Sequence, residues 1–206
     1  MFGDPVTNPM GWPVIELKDC LLSIDSGTSL NCDNHPRMQS EPAVLKLSAV
    51  TYGQYQASEN KILPDPEQFV KTEEVHKGDL LFSRKNTYEY VGMSAYVYET
   101  PENLMLPDLI FRLNTDSHCN RIFLWKLINH DRFRASVSAL AGGTASSMPN
   151  ISKQKLSLLR IALPPLELQN RFAAFVESTD KSKFATVLCR NQIVHNSLAG
   201  RLAMSY

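Results

Sequence analysis

The 206-residue sequence has no apolar run near the roughly 18 residues that a membrane-spanning helix needs. Its opening, MFGDPVTNPMGW, has neither a basic nor an apolar leader segment. Both absences point to a cytosolic (cytoplasmic) protein with no membrane partner. The four cysteines, Cys20, Cys32, Cys119 and Cys189, contain no C-x-x-C pair, which argues against a disulfide scaffold and against a cysteine-based zinc site. A nucleophile elbow, a P-loop, G-x-G-x-x-G and H-E-x-x-H are all missing. The histidines are dispersed, and the neighbours His118 and Cys119 lack further ligands at metal spacing. No metal and no cofactor is therefore expected. The pairs Glu16-x-Lys18 and Glu59-x-Lys61 are nuclease-like, but a pattern this short arises roughly once by chance in such a chain. Asn8-Pro9-Met10-Gly11 matches two of the four positions of the N-P-P-aromatic motif of amino-methyltransferases.

Net charge is also absent, since 21 basic residues meet 21 acidic ones. The balance hides a segregation. Residues 1–111 hold 8 basic against 16 acidic residues, whereas residues 112–160 hold 8 against 2. Arg112, Arg121, Lys126, Arg132, Arg134, Lys153, Lys155 and Arg160 make up that basic segment. A local positive field of this kind suits a phosphate backbone, unless folding interleaves the segments and cancels it.

No internal repeat or low-complexity tract is present, and the composition fits one domain with a long terminal element. Up to about residue 165 the chain reads as short strands between turns: Val44–Val50, Asp79–Ser83 and Tyr90–Glu99. One amphipathic helix, Arg121–Leu140, is expected to interrupt them, with a basic exposed side and Gly142 and Gly143 at its end. A short helix follows Ser152 as its N-cap. Pro164 and Pro165 forbid helix through that point, so the chain must cross it extended. From Glu167 a long helix carries the apolar stripe Phe172, Val176, Phe184, Val187, Leu188, Val194, Leu198 and Leu202. This spacing predicts a seam against another helix; the competing expectation is a helix folded back on its own domain.

Two loops hold chemistry suited to nucleic acid. SRKNTYEY offers Arg84 and Lys85 as charged donors, Asn86 as an amide and Tyr88 as a stacking ring. AGGTASSMPNISK exposes hydroxyls and backbone N–H groups at a helix start, with Thr144, Ser146 and Lys153 as candidates. Lys46 and Arg134 are candidate phosphate partners. No catalytic residue is assigned.

The order of landmarks resembles the specificity (S) subunits of type I restriction-modification systems. The carriers are GWPVIELKDCLLSIDSGTS (11–29), EPAVLKLSAVTYGQY (41–55), HKGDLLFSR (76–84), IFLWKLI (122–128) and GGTASSMPNISKQKLSLLRIALPPLELQNRFAAFV (142–176). Two departures stand out: Leu168 occupies the place of a usual Glu before Gln169, and KNTYEY replaces a usual glycine after GDLLFSR. The resemblance implies an α+β fold: a target-recognition domain of short strands and a few helices over residues 1–163. A helical spacer and dimerisation arm would follow over 164–206, pairing in a coiled coil. It further implies a half-length, non-catalytic subunit that reads specific duplex DNA. Such a subunit directs a methyltransferase subunit, with a restriction-translocase subunit as an optional further partner. A half-length form would work as a homodimer through Phe172, Val176, Phe184, Val187, Val194, Leu198 and Leu202, or else be a truncated product. The alternatives are a small DNA-acting enzyme, either a nuclease or a methyltransferase fragment, and a helix-mediated protein-interaction module.

Overall fold

The computed structural model describes residues 1–143 and 148–180, and these form an α+β fold. In chain order the strands are β1 (Val14–Glu16), β2 (Leu21–Ser26), β3 (Ala43–Leu45), β4 (Asn60–Ile62), β5 (Leu80–Ser83), β6 (Ser94–Tyr96), β7 (Leu104–Met105), β8 (Ile110–Thr115) and β9 (Arg160–Ala162). The helices are α1 (Ser48–Thr51), α2 (Arg121–Ile128), α3 (Asp131–Ser138), α4 (Lys153–Ser157) and α5, described over residues 166–180.

The uninterrupted apolar run of β5 explains the layering. A strand without polar alternation has both faces covered, and all four residues of β5 are buried inside an antiparallel sheet of order β2-β8-β5-β6. On one face Leu80 and Phe82 of β5 join Phe111 and Leu113 of β8 against Phe123, Leu124, Trp125, Phe133 and Leu156 from α2, α3 and α4. On the other, Leu81, Ala95 and Ile110 meet Leu45, Ala49, Val50 and Leu104 from β3, α1 and β7. Each fully buried large side chain here contributes roughly 1.5–3 kcal/mol of transfer free energy. A second sheet, β4-β3-β7, lies beyond this core; in it β3 pairs antiparallel with β4 and parallel with β7. β1 pairs antiparallel with β9, Val14 opposite Ala162, so the start of the chain is zipped to the segment just before the two prolines.

Arg121–Leu140 is two helices, not one. Asn120 caps α2, its Oδ1 accepting from the N–H groups of Ile122 and Phe123 at 2.9 and 3.2 Å. The break comes at Asn129 and His130, where His130 takes extended backbone (φ −67°, ψ 126°). Asn129 Nδ2 donates to Ser94 O at 2.7 Å and Asn129 Oδ1 accepts from Ser94 N at 2.9 Å. The side chain thus pairs with edge strand β6 as a strand residue would. The expected strand over Val44–Val50 ends at Leu45, because Lys46 O and Leu47 O accept from Ala49 and Val50 and turn the chain into α1. Tyr90–Glu99 is a strand only over β6. Gly92 there has φ +79°, and a Cβ on it would lie 2.4 Å from Val137 Cγ1, so a turn that only glycine fits precedes the strand.

The double proline behaves as expected, and α5 begins directly after it, with Pro165 O accepting from Leu168 and Gln169. In its described part α5 folds back on its own domain. Ala173 and Val176 are buried in the main core, and Phe172 packs edge-on against Phe2 and Phe123, 5.3 and 6.4 Å between ring centroids. The remaining stripe residues Phe184, Val187, Leu188, Val194, Leu198 and Leu202 lie outside the described residues. No helix among the described residues is long and apolar enough to cross a membrane.

Candidate nucleic-acid interface

The end of β5 and the chain around Asn150 are laced together. Ile151 N donates to Arg84 O at 2.8 Å, Asn86 N to Pro149 O at 3.3 Å, and Gly142 and Asn150 exchange two backbone bonds of 2.9 Å. Lys85 pairs across to Asn150 as an isolated bridge. A groove of about 520 Å³ opens beside this lacing, lined by Arg84, Lys85, Asp108, Asn150, Ser152 and Lys155 among others.

Arg84 is the best-held cation in it. Its Nε donates to Asn150 Oδ1 at 3.1 Å, and its guanidinium carbon lies 5.0 Å from the centroid of the Phe111 ring. A guanidinium stacked and tethered in this way loses little further freedom on binding. Its two terminal nitrogens keep no protein partner among the described residues. Lys153 approaches the same ring, its Nζ 5.7 Å from the centroid, despite a sequence separation of nearly 70 residues from Arg84. Ser152 caps α4 as expected, Oγ accepting from Lys155 N at 3.2 Å. Lys155 Nζ is packed so close to Gly142 that a Cβ there would lie 3.2 Å from it. Arg84, Lys85, Lys153 and Lys155 have no carboxylate partner within 4.0 Å among the described residues.

The other candidates fare differently. Asn86 is buried; its Nδ2 donates to Thr51 Oγ1 at 3.2 Å and its Oδ1 accepts from Thr87 N at 2.9 Å, so its amide is engaged inside the protein. Arg134 donates from Nη2 to Val91 O at 2.6 Å, its Nη1 is buried, and burial pushes its pKa down; it ties α3 to the turn after β5. Tyr88 is 67% exposed on that turn but does not line the groove. Lys46 lies past β3 and is not part of the groove either. Thr144 and Ser146 lie outside the described residues. Phe172 and Val176 face the chain's own core, as described above.

The basic segment of residues 112–160 is largely consumed internally. Arg112 is 9% exposed, donating to Glu74 O at 2.8 Å, Asp79 Oδ2 at 3.2 Å and Thr72 O at 2.8 Å. Arg121 donates to Gly78 O, Arg132 pairs with Asp4 and Lys126 with Asp180. Lys153, Lys155 and Arg160 are what remains of its field, and of these three Lys155 lines the groove. Lys155 was passed over in the sequence because nothing local distinguishes it from any exposed lysine; its i+3 spacing from Ser152 was the available signal. Among the described residues no cluster of three or more His, Cys, Asp or Glu is placed to hold a metal.

Comparison with known proteins matches residues 9–191 to the model of the type I restriction modification DNA specificity domain. The specificity subunit of the type I restriction enzyme EcoEI from Escherichia coli is 31% identical over 175 residues, 84% of this chain and 30% of that protein. A putative type I restriction enzyme MjaX specificity subunit from Methanocaldococcus jannaschii is 26% identical over 179 residues, 84% of this chain and 40% of that one. The chain therefore spans about a third of the length of these relatives. In fold it is similar to the S subunit of a type I restriction-modification system from M. genitalium, with TM-score 0.56, 14% identity and coverage of 84% of this chain and 40% of that one. It is likewise similar to the HsdS subunit of Thermoanaerobacter tengcongensis, with TM-score 0.55, 17% identity and coverage of 84% and 38%. The chain thus belongs to the type I restriction modification DNA specificity domain family.

Proposed function

We propose that this chain binds specific duplex DNA in the groove beside Arg84 and, without catalysing a reaction itself, directs a methyltransferase subunit to that site in the cytoplasm. A restriction-translocase subunit is a further partner in this reading. The observation that carries it is the convergence of Arg84, Lys85 and Lys155, none with an acidic partner among the described residues, on one groove, with Lys153 near the Phe111 ring that also carries Arg84. Cations without partners lose little on meeting phosphates, and release of the counterions held by DNA drives the association. Arg84 is the base reader in this account, since a tethered guanidinium with two free terminal nitrogens matches guanine O6 and N7. Lys85, Lys153 and Lys155 hold phosphates. Asn86 and Arg134 shape the turn from within. Residues 1–163 are the recognition domain and 164–206 the arm. The stripe Phe184, Val187, Val194, Leu198 and Leu202 pairs two copies in a coiled coil, and a two-fold axis then sets two recognition units on an inverted, gapped site.

Selection of duplexes from a random pool by the purified full-length protein tests this reading. Replacing Arg84 with Ala should weaken binding to the selected site by about 1–3 kcal/mol and relax one guanine position. Unchanged affinity and unchanged sequence preference would remove Arg84 from the interface.

A further inference from the structure

We infer that Asp108 is a specificity residue of this groove, its carboxylate accepting a hydrogen bond from the exocyclic amino group of a cytosine in the DNA. The inference rests on the duplex-binding reading above and adds to it the groove's acidic residue. Asp108 lines the same groove as Arg84, Lys85 and Lys155, yet it has no hydrogen bond and no ion pair among the described residues. A carboxylate amid cations would ordinarily be drawn into one of them. Asp108 pairs with none of them among the described residues. Asp108 sits in a turn closed by Ile110 N donating to Pro107 O at 3.3 Å, and its neighbour Leu109 O accepts from Arg84 N at 3.0 Å. Pro107 is itself buried and bridged to Thr28. Main-chain bonds on both sides thus fix the base of this side chain.

A carboxylate repels phosphate, so its place in a cationic groove marks where the nucleic-acid backbone does not run. What it can meet in a major groove is a donor, and the cytosine amino group is the donor that acidic side chains accept from. The partition of roles follows. The lysines position the backbone, while Arg84 and Asp108, both held by main-chain or side-chain ties, present a donor fork and an acceptor to base edges. These are the complementary halves of the guanine and cytosine edges.

The test repeats the random-duplex selection with the full-length protein and its Asp108→Ala and Asp108→Asn variants, alongside melting curves. Asp108→Ala is expected to lower discrimination at one cytosine position by roughly 5- to 150-fold, with the salt dependence of binding and the melting temperature retained. Asp108→Asn is expected to move the preference there towards adenine, which an amide recognises through N6 and N7. If both variants select the wild-type sequence with equal stringency at every position, Asp108 reads no base and the inference is overturned while duplex recognition stands. If the wild-type protein selects no sequence, the function proposed above fails and this inference fails with it.

Discussion

Gln169 shows how one buried amide can fix a joint. It is fully buried, and its Nε2 donates to Pro164 O at 2.7 Å and to His118 O at 3.1 Å while Oε1 accepts from Asn120 N at 2.9 Å. The double proline, the start of α2 and the start of α5 therefore meet on one side chain. Replacing Gln169 with Leu would leave these partners unsatisfied in the interior, and we expect a loss of about 2–4 kcal/mol in urea unfolding. Glu74 is a second such residue. Burial raises its pKa, but the Lys71 ammonium and the N–H of Asn103 outweigh that and hold the carboxyl below its ordinary 4.5. A lowered folded pKa stabilises the protein above the unfolded value, and that contribution disappears as pH falls through the folded one. The stability difference between wild type and Glu74→Gln, measured by denaturant at pH 7 and at stepwise lower pH, should therefore shrink below about pH 4.5. A constant difference across that range would contradict this assignment. Neither role was legible in the sequence, because Gln169 and Glu74 act through main-chain groups 49 and 29 residues away in the chain.

At the scale of elements, sequence reading succeeded where the signal was local. The LLFS run, the Ser152 cap and the double proline each determine their own conformation through burial, a side-chain acceptor or a missing N–H. It failed where a tertiary partner decides. The apolar periodicity of residues 121–140 runs straight through Asn129, and nothing nearby in the chain says that this amide will leave the helix to pair with Ser94. That pairing also covers the outer edge of β6, which would otherwise be open to a second chain. Replacing Asn129 with Ala should cost about 2–3 kcal/mol, since the buried Ser94 N–H loses its acceptor. Thermal melting checks the loss, and hydrogen exchange at Ser94 should show the opened edge. Gly92 could have been flagged, for a glycine inside a presumed strand is the usual sign of a turn or a close approach.

For the whole molecule, the sequence's count of charge by segment overstated the positive field, since Arg112, Arg121 and Arg134 turn inward to carbonyl oxygens. What folding leaves is smaller and better focused: a groove where β5, the β7–β8 turn and α4 meet. The order of landmarks along the chain was legible and agrees with the family match, while the membership of the groove needed the long-range lacing of residues 84–86 with 149–151. The central claim is that unpaired cations in this groove bind duplex DNA. Its most direct test is the dependence of duplex affinity on salt concentration for the wild type and for the Lys85→Ala/Lys155→Ala double variant. The account predicts a steep linear fall of log K with log salt in the wild type, and a slope shallower by about 2 in the variant, near one per cation removed. Identical slopes and affinities in the two proteins would contradict it.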